Sequence, residues 1–406
     1  MTWRAKVLNE IKPSKKEDLE IKRLAKKIAS KIKIKDTIIE LGGSSAKGTW
    51  LKGRHDIDLY IKFNHKTYSN MDISEILKNK LKKAKVLHGS RDYFQIEENN
   101  YIVELIPIMD IKKVEEADNI TDISPFHKKW VRKNKQYVDD IRLAKAFAKA
   151  NGIYGAESYI KGFSGYSLEV LTIHYKGFDQ LIKNVSKWKR KTIIDTEKHH
   201  EKKVELNKAK MDSPLILVDP VQSTRNVTAV LSEEKYNMFI KATKSFLKAK
   251  NKENYFILTE FSIDKLKKRK GNLVYLEIEP LEGKKDVIGA KLLKSFEFIK
   301  RELENSDFKL NDSGWHWEDT AYLWFLIDPT ALSNKVKHYG PPIASKDRLN
   351  NFKTKWKGKK IYNEDGMSYI LKERHFKEAE HLIFSLAEKE FVSKRINKIL
   401  HNIIFK

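Results

Sequence analysis

The sequence predicts a multidomain α+β protein, and three observations predict it. At 406 residues, 40% of them hydrophobic, the chain exceeds what one core usually supports, so roughly two to four domains are expected. Strand-like apolar runs such as "DTIIEL", "NLVYLEIEP" and "TAYLWFLID" alternate with helical patterns. The mixture also changes along the chain, mixed in 1–135, mostly helical in 136–250 and mixed again in 251–406, and these are the expected domains.

Taken in order, Leu19, Leu24 and Ile28 recur at helical spacing between 14 and 33, behind "PSKKED", a helix start with acids in its first turn. "DTIIELGGS" reads as a short strand ending in glycines, and 74–85 as mostly helical. "DYFQIEENNYIVELIPIMDI" reads as two strands around an Asn-Asn turn, which makes the first domain a mixed sheet with helices. "DDIRLAKAFAKA" is helical, glycine-punctuated helices and loops follow, and "EEKYNMFIKATKSFLKAK" is a further helix. Beyond 250, "ENYFILTEF" joins the two runs quoted above as strand-like; with a helix over 289–305 they suggest a small module of βαβ type. The basic last part from "GPPIASKDRLNNFKTKWKGKK" is expected to end in a helix from Phe376.

Composition narrows the function. Lys and Arg number 81 against 55 acids, a formal charge of +26, which favours a polyanionic partner, nucleic acid first. The run 183–210 is locally cationic, with ten Lys or Arg, four acids and Trp188 in its midst. The absence of cysteine excludes disulfides, thiol catalysis and Cys-ligated metals. The N-terminus has no apolar signal core and no run approaches about 18 apolar residues, so the expected location is the cytoplasm.

The chemistry is concentrated in "GGSSAKGTWLKGRHDIDLYIKF". On a strand, Asp56 and Asp58 share a face, and two adjacent carboxylates are costly unless a cation lies between them. Oxygen-only ligands suit magnesium. Gly42, Gly43 and Ser44, ahead of the acids, make a tight turn whose backbone N–H groups and hydroxyl can cradle a phosphate. A phosphate cradle beside a metal dyad means nucleotide chemistry.

This pattern, GS followed by [DE]xD, resembles the DNA polymerase beta-like nucleotidyltransferases. The blocks "DISPFHKKWV", "LAKAFAKANGIYGAESYIKGFSGYSLEVL", "WKRKTIID", "VDPVQSTRNVTAVLS" and "HYGPPIASKDRLNNF" resemble, in order and over essentially the whole chain, the archaeal (class I) CCA-adding tRNA nucleotidyltransferases. The resemblance implies a polymerase beta-like palm, a helical second domain and a C-terminal α+β body and tail. It implies template-independent addition and repair of the 3'-terminal CCA of tRNA from CTP and ATP, with two Mg2+ ions and release of pyrophosphate. The tRNA would be gripped at its acceptor stem and T arm by cationic stretches such as 183–210 and 353–360. A homodimer is admitted; a membrane partner is not.

Residue by residue, the resemblance assigns Asp56, Asp58 and Glu104 as the metal-holding catalytic acids. It assigns Gly43, Ser44, Lys47, His127, Lys145 and Tyr154 to the nucleotide, although Lys47 stands where the family has Arg and offers no bidentate fork. Arg225 is matched to the reader of the incoming base. Cytosine N3 and adenine N1 accept hydrogen bonds, whereas uracil N3 and guanine N1 carry protons, so a fixed guanidinium favours C and A. Asp110 rivals Glu104; Pro107 is expected to end the strand and leave Asp110 beyond it. Arg91 replaces a family histidine and receives no role. The other readings are an oligoadenylate-synthetase-like or poly(A)-polymerase-like enzyme with another acceptor, and a catalytically dead RNA-binding scaffold.

Overall fold

The structure, a computed structural model, describes residues 1–53, 56–82, 84–99, 101–201 and 204–405. It divides into two compact units, Met1–Thr259 and Glu260–Lys406.

The first unit opens with α1 (Trp3–Ile11) and α2 (Lys15–Lys31); Ser14 and Glu17 close a reciprocal capping box at the start of α2. Helix α2 buries Ile21, Leu24, Ala25 and Ile28. Leu19 is 52% exposed, against expectation, because two residues before Ile21 it lies on the opposite side of the helix. Next come β1 (Thr37–Leu41), α3 (Gly43–Lys47), β2 (Asp56–Asn64), α4 (His65–Tyr68), α5 (Ile73–Lys80), β3 (Lys85–Leu87), β4 (Tyr93–Glu98) and β5 (Tyr101–Asp110). The expected helix therefore stops at Lys80. Asn99 turns with φ 53°, and Asn100 of the expected Asn-Asn turn lies outside the described residues. The sheet order is β1-β2-β5-β4-β3, with β2 and β5 parallel and the other pairs antiparallel.

Pro107 does not end β5, as expected from sequence; it pairs in register with Ile61 in an unbroken strand. Strand β4 covers β5 only as far as Leu105, so beyond that point one side of β5 has no ladder partner among the described residues and a missing N–H breaks no ladder bond there. The Pro107 carbonyl, on that open side, accepts from Arg91.

The rest of the unit is mostly helical: α6 (Ser124–Lys133), α7 (Val138–Ala150), α8 (Gly165–His174), α9 (Phe178–Val185) and α10 (Glu233–Lys248). Strands β6 (Thr192–Ile194), β7 (Leu215–Asp219) and β8 (Gln222–Asn226) form a small sheet within it. Phe147, Phe178, Phe246 and Phe256 interlock with Trp3 at ring distances of 5.5–6.1 Å. That cluster explains why "ENYFILTEF" is not a strand. Its one buried aromatic, Phe256, is drawn into the helical core by a 3-10 turn, which leaves Ile257 and Leu258 exposed. Trp188 likewise packs inward, stacked on Tyr236 at 5.5 Å with its indole N–H on Tyr175.

The second unit contains α11 (Ile263–Lys267), β9 (Asn272–Glu279), α12 (Lys285–Asn305), β10 (Leu310–Trp317), β11 (Ala321–Ile327), β12 (Lys335–Pro342), α13 (Lys346–Lys355), β13 (Ile361–Glu364), β14 (Met367–Glu373), α14 (Ala379–Glu388), α15 (Glu390–Ser393) and β15 (Lys398–Phe405). One sheet runs β10-β11-β9-β15 and the other β12-β14-β13. The expected βαβ alternation is corrected here: β10 intervenes between α12 and β11, so every pairing of the first sheet is antiparallel. The expected terminal helix is also cut short, since α14 ends at Glu388 and β15 adds to the edge of β9. Among the described residues no helix is long and apolar enough to cross a membrane.

Candidate active site

Strand β2 alternates, and on its acid-bearing face Tyr60 alone is also buried. Ile57, Leu59, Ile61 and Phe63 are buried on one face, which sends Asp56 and Asp58 to the other. The parallel register then sets Asp58 directly beside Glu104 of β5. Asp110 pairs with Asn64 in that register and forms an ion pair with Lys62 at 2.8 Å, six residues from Glu104 and so about 20 Å away along the strand.

The glycine turn rests on the same strand. Gly42 donates its N–H to the Asp58 carbonyl at 2.8 Å, and Gly43 donates to the Tyr60 hydroxyl at 3.3 Å. Both positions require glycine: a Cβ on Gly42 would lie 2.5 Å from the Tyr60 ring, and one on Gly43, at φ +53°, would lie 1.6 Å from Asp58 Oδ2. Helix α3, with Ser44 and Lys47, is only five residues long and ends on Gly48 in the left-handed conformation.

The acids feel one another. Enclosure by protein, with Asp56 adding to it and Lys47 opposing it, pushes Asp58 up to about 6. Enclosure together with Asp58 and Asp56 pushes Glu104 up to about 7. Tyr93 is pushed up to about 12 by burial and the same three carboxylates. Glu104 accepts from Gln95 at 3.3 Å, which draws it toward β4, and among the described residues no three acids or histidines converge to metal-ligand spacing. The donor set nevertheless fits a hard divalent cation: oxygen ligands only, on one face, mutually destabilised when all are ionised.

Two further clusters centre on buried acids that the sequence did not single out. Glu169 of α8, 1% exposed, accepts from Lys47 at 2.8 Å, Lys145 at 2.8 Å and the Thr49 hydroxyl at 2.6 Å. Burial works against its charge, but Lys145 and Lys47 outweigh it and hold the carboxyl down at about 2. Asp219, at the end of β7 and fully buried, binds His127 Nε2 at 2.9 Å, the Tyr166 hydroxyl at 3.0 Å and Arg225 at 2.7 Å. Burial again opposes ionisation, and the His127 hydrogen bond, the Arg225 charge and the Val221 N–H bring the carboxyl down to about 2. His127 is held low, hence neutral at pH 7, by burial despite Asp219; its Nε2 therefore carries the proton donated to the carboxylate.

Each expected site residue thus has a place. Asp56, Asp58, Glu104, Gly43, Ser44 and Lys47 line one face of the sheet and its turn. Lys145 is 4% exposed, with its ammonium on Glu169 and on the Thr49 hydroxyl and carbonyl. Tyr154 lies under Gly165, whose Cβ would come 2.9 Å from its hydroxyl, and burial pushes it up to about 12. The Arg225 side chain remains 31% exposed, and among the described residues its one ion pair is with Asp219. Arg91 has a structural partner: it grips buried Asp122 through both terminal guanidinium nitrogens. Glu169 in "SLEVL" and Asp219 in "LILVDP" did carry a signal, an acid inside an apolar run, which is stable only when a cation meets it.

An acid-bearing mixed sheet with a glycine turn packed on its acids defines a nucleotidyltransferase. A cytoplasmic RNA terminal U-transferase shares the fold with a TM-score of 0.51 at 14% identity, covering 64% of this chain and 97% of that one. So does the Cid1 poly(U) polymerase with MgGTP bound, at 0.51 and 14%, covering 63% and 98%. Residues 21–138 match the nucleotidyltransferase domain, 139–257 the second domain of tRNA nucleotidyltransferase and 279–403 the C-terminal domain of the CCA-adding enzyme. The CCA-adding enzyme of Nanoarchaeum equitans is 38% identical over 83% of this chain and 84% of its own length. That of Methanococcus maripaludis is 33% identical over 86% and 83%. The chain belongs to the CCA-adding enzyme family and is a tRNA nucleotidyltransferase.

Proposed function

We propose that the protein adds and repairs the 3'-terminal CCA of tRNA from CTP and ATP without a nucleic-acid template, as a cytoplasmic enzyme. The observation that carries this reading is the register that sets Asp58 beside Glu104 with Gly43 pressed against Asp58, within a chain of CCA-adding relatives. Asp56, Asp58 and Glu104 would hold two magnesium ions, which would supply Lewis acidity at the attacking 3'-hydroxyl and at the leaving pyrophosphate. Gly43, Ser44 and Lys47 bind the triphosphate, with charge from Lys145; His127 and Tyr154 complete the pocket around phosphate and sugar. Arg225 reads the base. Its carboxylate partner leaves guanidinium N–H donors over, and a donor held in place by a buried Asp219 discriminates acceptor edges from protonated ones.

The tRNA acceptor stem and T arm are recognised by shape and phosphate charge. Exposed lysines in 183–210 and 353–360 suit that role. In the second unit, Tyr339, Tyr369 and Tyr362 form a row across β12, β14 and β13 at ring distances of 5.8 and 5.2 Å, with Lys337 and Lys360 over its rings. Such a face suits stacking as well as charge.

The test is incubation with tRNA ending at its discriminator base, with CTP and ATP supplied singly and together. CTP alone should add two residues and both nucleotides should add three, with nothing thereafter. Runs of A on unrelated RNA would instead indicate a poly(A)-type enzyme.

A further inference from the structure

Lys47 and Lys145, both matched to the triphosphate, are not equivalent. An ammonium has three donors, and those of Lys145 meet Glu169 Oε1 at 2.8 Å, Thr49 Oγ1 at 2.9 Å and the Thr49 carbonyl at 3.3 Å. That lysine is committed inside the protein. Lys47 donates to Glu169 Oε2 at 2.8 Å, lies 5.1 Å over the Tyr166 ring and has no other hydrogen-bond partner among the described residues. Two of its donors remain for a ligand. The two cations share one carboxylate, so the cluster carries a net charge of +1, and its uncommitted donors are those of Lys47 beside the glycine turn.

Glu169 also ties elements together. Through Lys47 and Thr49 it grips the segment that carries the glycine turn, and through Lys145 it grips α7, while its own backbone belongs to α8. A charge buried this deeply is costly unless fully paired, and an apolar residue would fill the space at less expense in stability. Its presence is accounted for by what it does to the lysines.

We propose that Glu169 is a positioning residue for nucleotide binding: it fixes Lys145 as an internal buttress and thereby holds Lys47 as the lysine that contacts the triphosphate. The inference rests on the nucleotidyl-transfer reading above and deepens it.

The test is a double-mutant cycle on the full chain, with Lys47→Met, Glu169→Gln and both together. CTP affinity is measured calorimetrically in magnesium buffer, and KM for CTP and for tRNA at steady state. If Glu169 acts through Lys47, each single change should weaken CTP binding about tenfold, the double change should be no worse than the worse single one, and KM for tRNA should stay within about twofold. Effects that multiply to about a hundredfold, or a Glu169→Gln protein that binds CTP as wild type does, would overturn the proposal. Should Glu169→Gln fail to fold at the assay temperature, Glu169→Asp, which keeps the charge and shortens the reach, enters the same cycle with the same criteria. Failure of the wild type to extend tRNA would refute the functional reading instead, and the CTP titrations would still decide the role of Glu169.

Discussion

Glu104 and Asp110 illustrate how much a single residue's function depends on register. Glu104 stands beside Asp58, whereas Asp110 is six residues further along and neutralised by Lys62. Glu104→Gln should therefore abolish nucleotide addition, Glu104→Asp should retain part of it, and Asp110→Asn should be nearly neutral; the reverse order in a tRNA extension assay would mean the wrong acid has been assigned. The pKa directions give a second prediction. The folded state raises Asp58 to about 6 and Glu104 to about 7. Acids raised in this way favour the fold below their unfolded values, near pH 4, and that contribution is lost as pH climbs through 6 to 7. A divalent cation that pairs with the ionised forms offsets the loss. Millimolar magnesium should accordingly raise the thermal midpoint more at pH 8 than at pH 5, and the difference should vanish in Asp58→Asn/Glu104→Gln. Equal gains at both pH values would contradict the assignment. A third prediction concerns Arg225→Ala, which should slow addition and also level the preference for CTP and ATP over UTP and GTP. Unchanged ratios among the four nucleotides would place base reading elsewhere.

At the scale of elements, the site depends on a five-residue helix entered through two glycines. Gly43→Ala adds one methyl group where only 1.6 Å separates it from Asp58 Oδ2, at a φ that alanine resists. The turn must lift off β2, so addition should fall at least a hundredfold, by about 3 kcal/mol or more in activation free energy, with far-UV circular dichroism unchanged. Near-wild-type kinetics would show that the turn is not what aligns the phosphate. Pro107→Ala makes the opposite case. The proline sits where β5 has no ladder partner on one side, so the change should leave both the thermal midpoint and activity close to wild type.

For the whole molecule, the formal charge of +26 is the governing quantity. Binding of tRNA should weaken by at least about tenfold between roughly 50 and 200 mM salt, and should differ little among elongator tRNAs. A flat salt response in filter binding would argue against a charge-driven surface.

Much of this was legible without coordinates because it is local. Period-two alternation put Asp56 and Asp58 on one face, "PSKKED" announced a helix start, and "GGS" announced a turn; each depends on neighbours within a few residues. The errors fell where distant partners decide. Whether "ENYFILTEF" is a strand was settled by the cavity awaiting Phe256 among Trp3, Phe147, Phe178 and Phe246. Pro107 was tolerated because β4 stops short, and the chain's last residues became a strand because β9 offered an open edge. The two acid hubs belong to the same class. Sequence showed a carboxylate inside an apolar run at Glu169 and Asp219, but Lys47 lies 122 residues from Glu169 and the His127 donor 92 residues from Asp219. Only folding could bring those partners within 3 Å, since the strength of an ion pair or hydrogen bond is set by distance in space, which the order of residues along the chain does not contain.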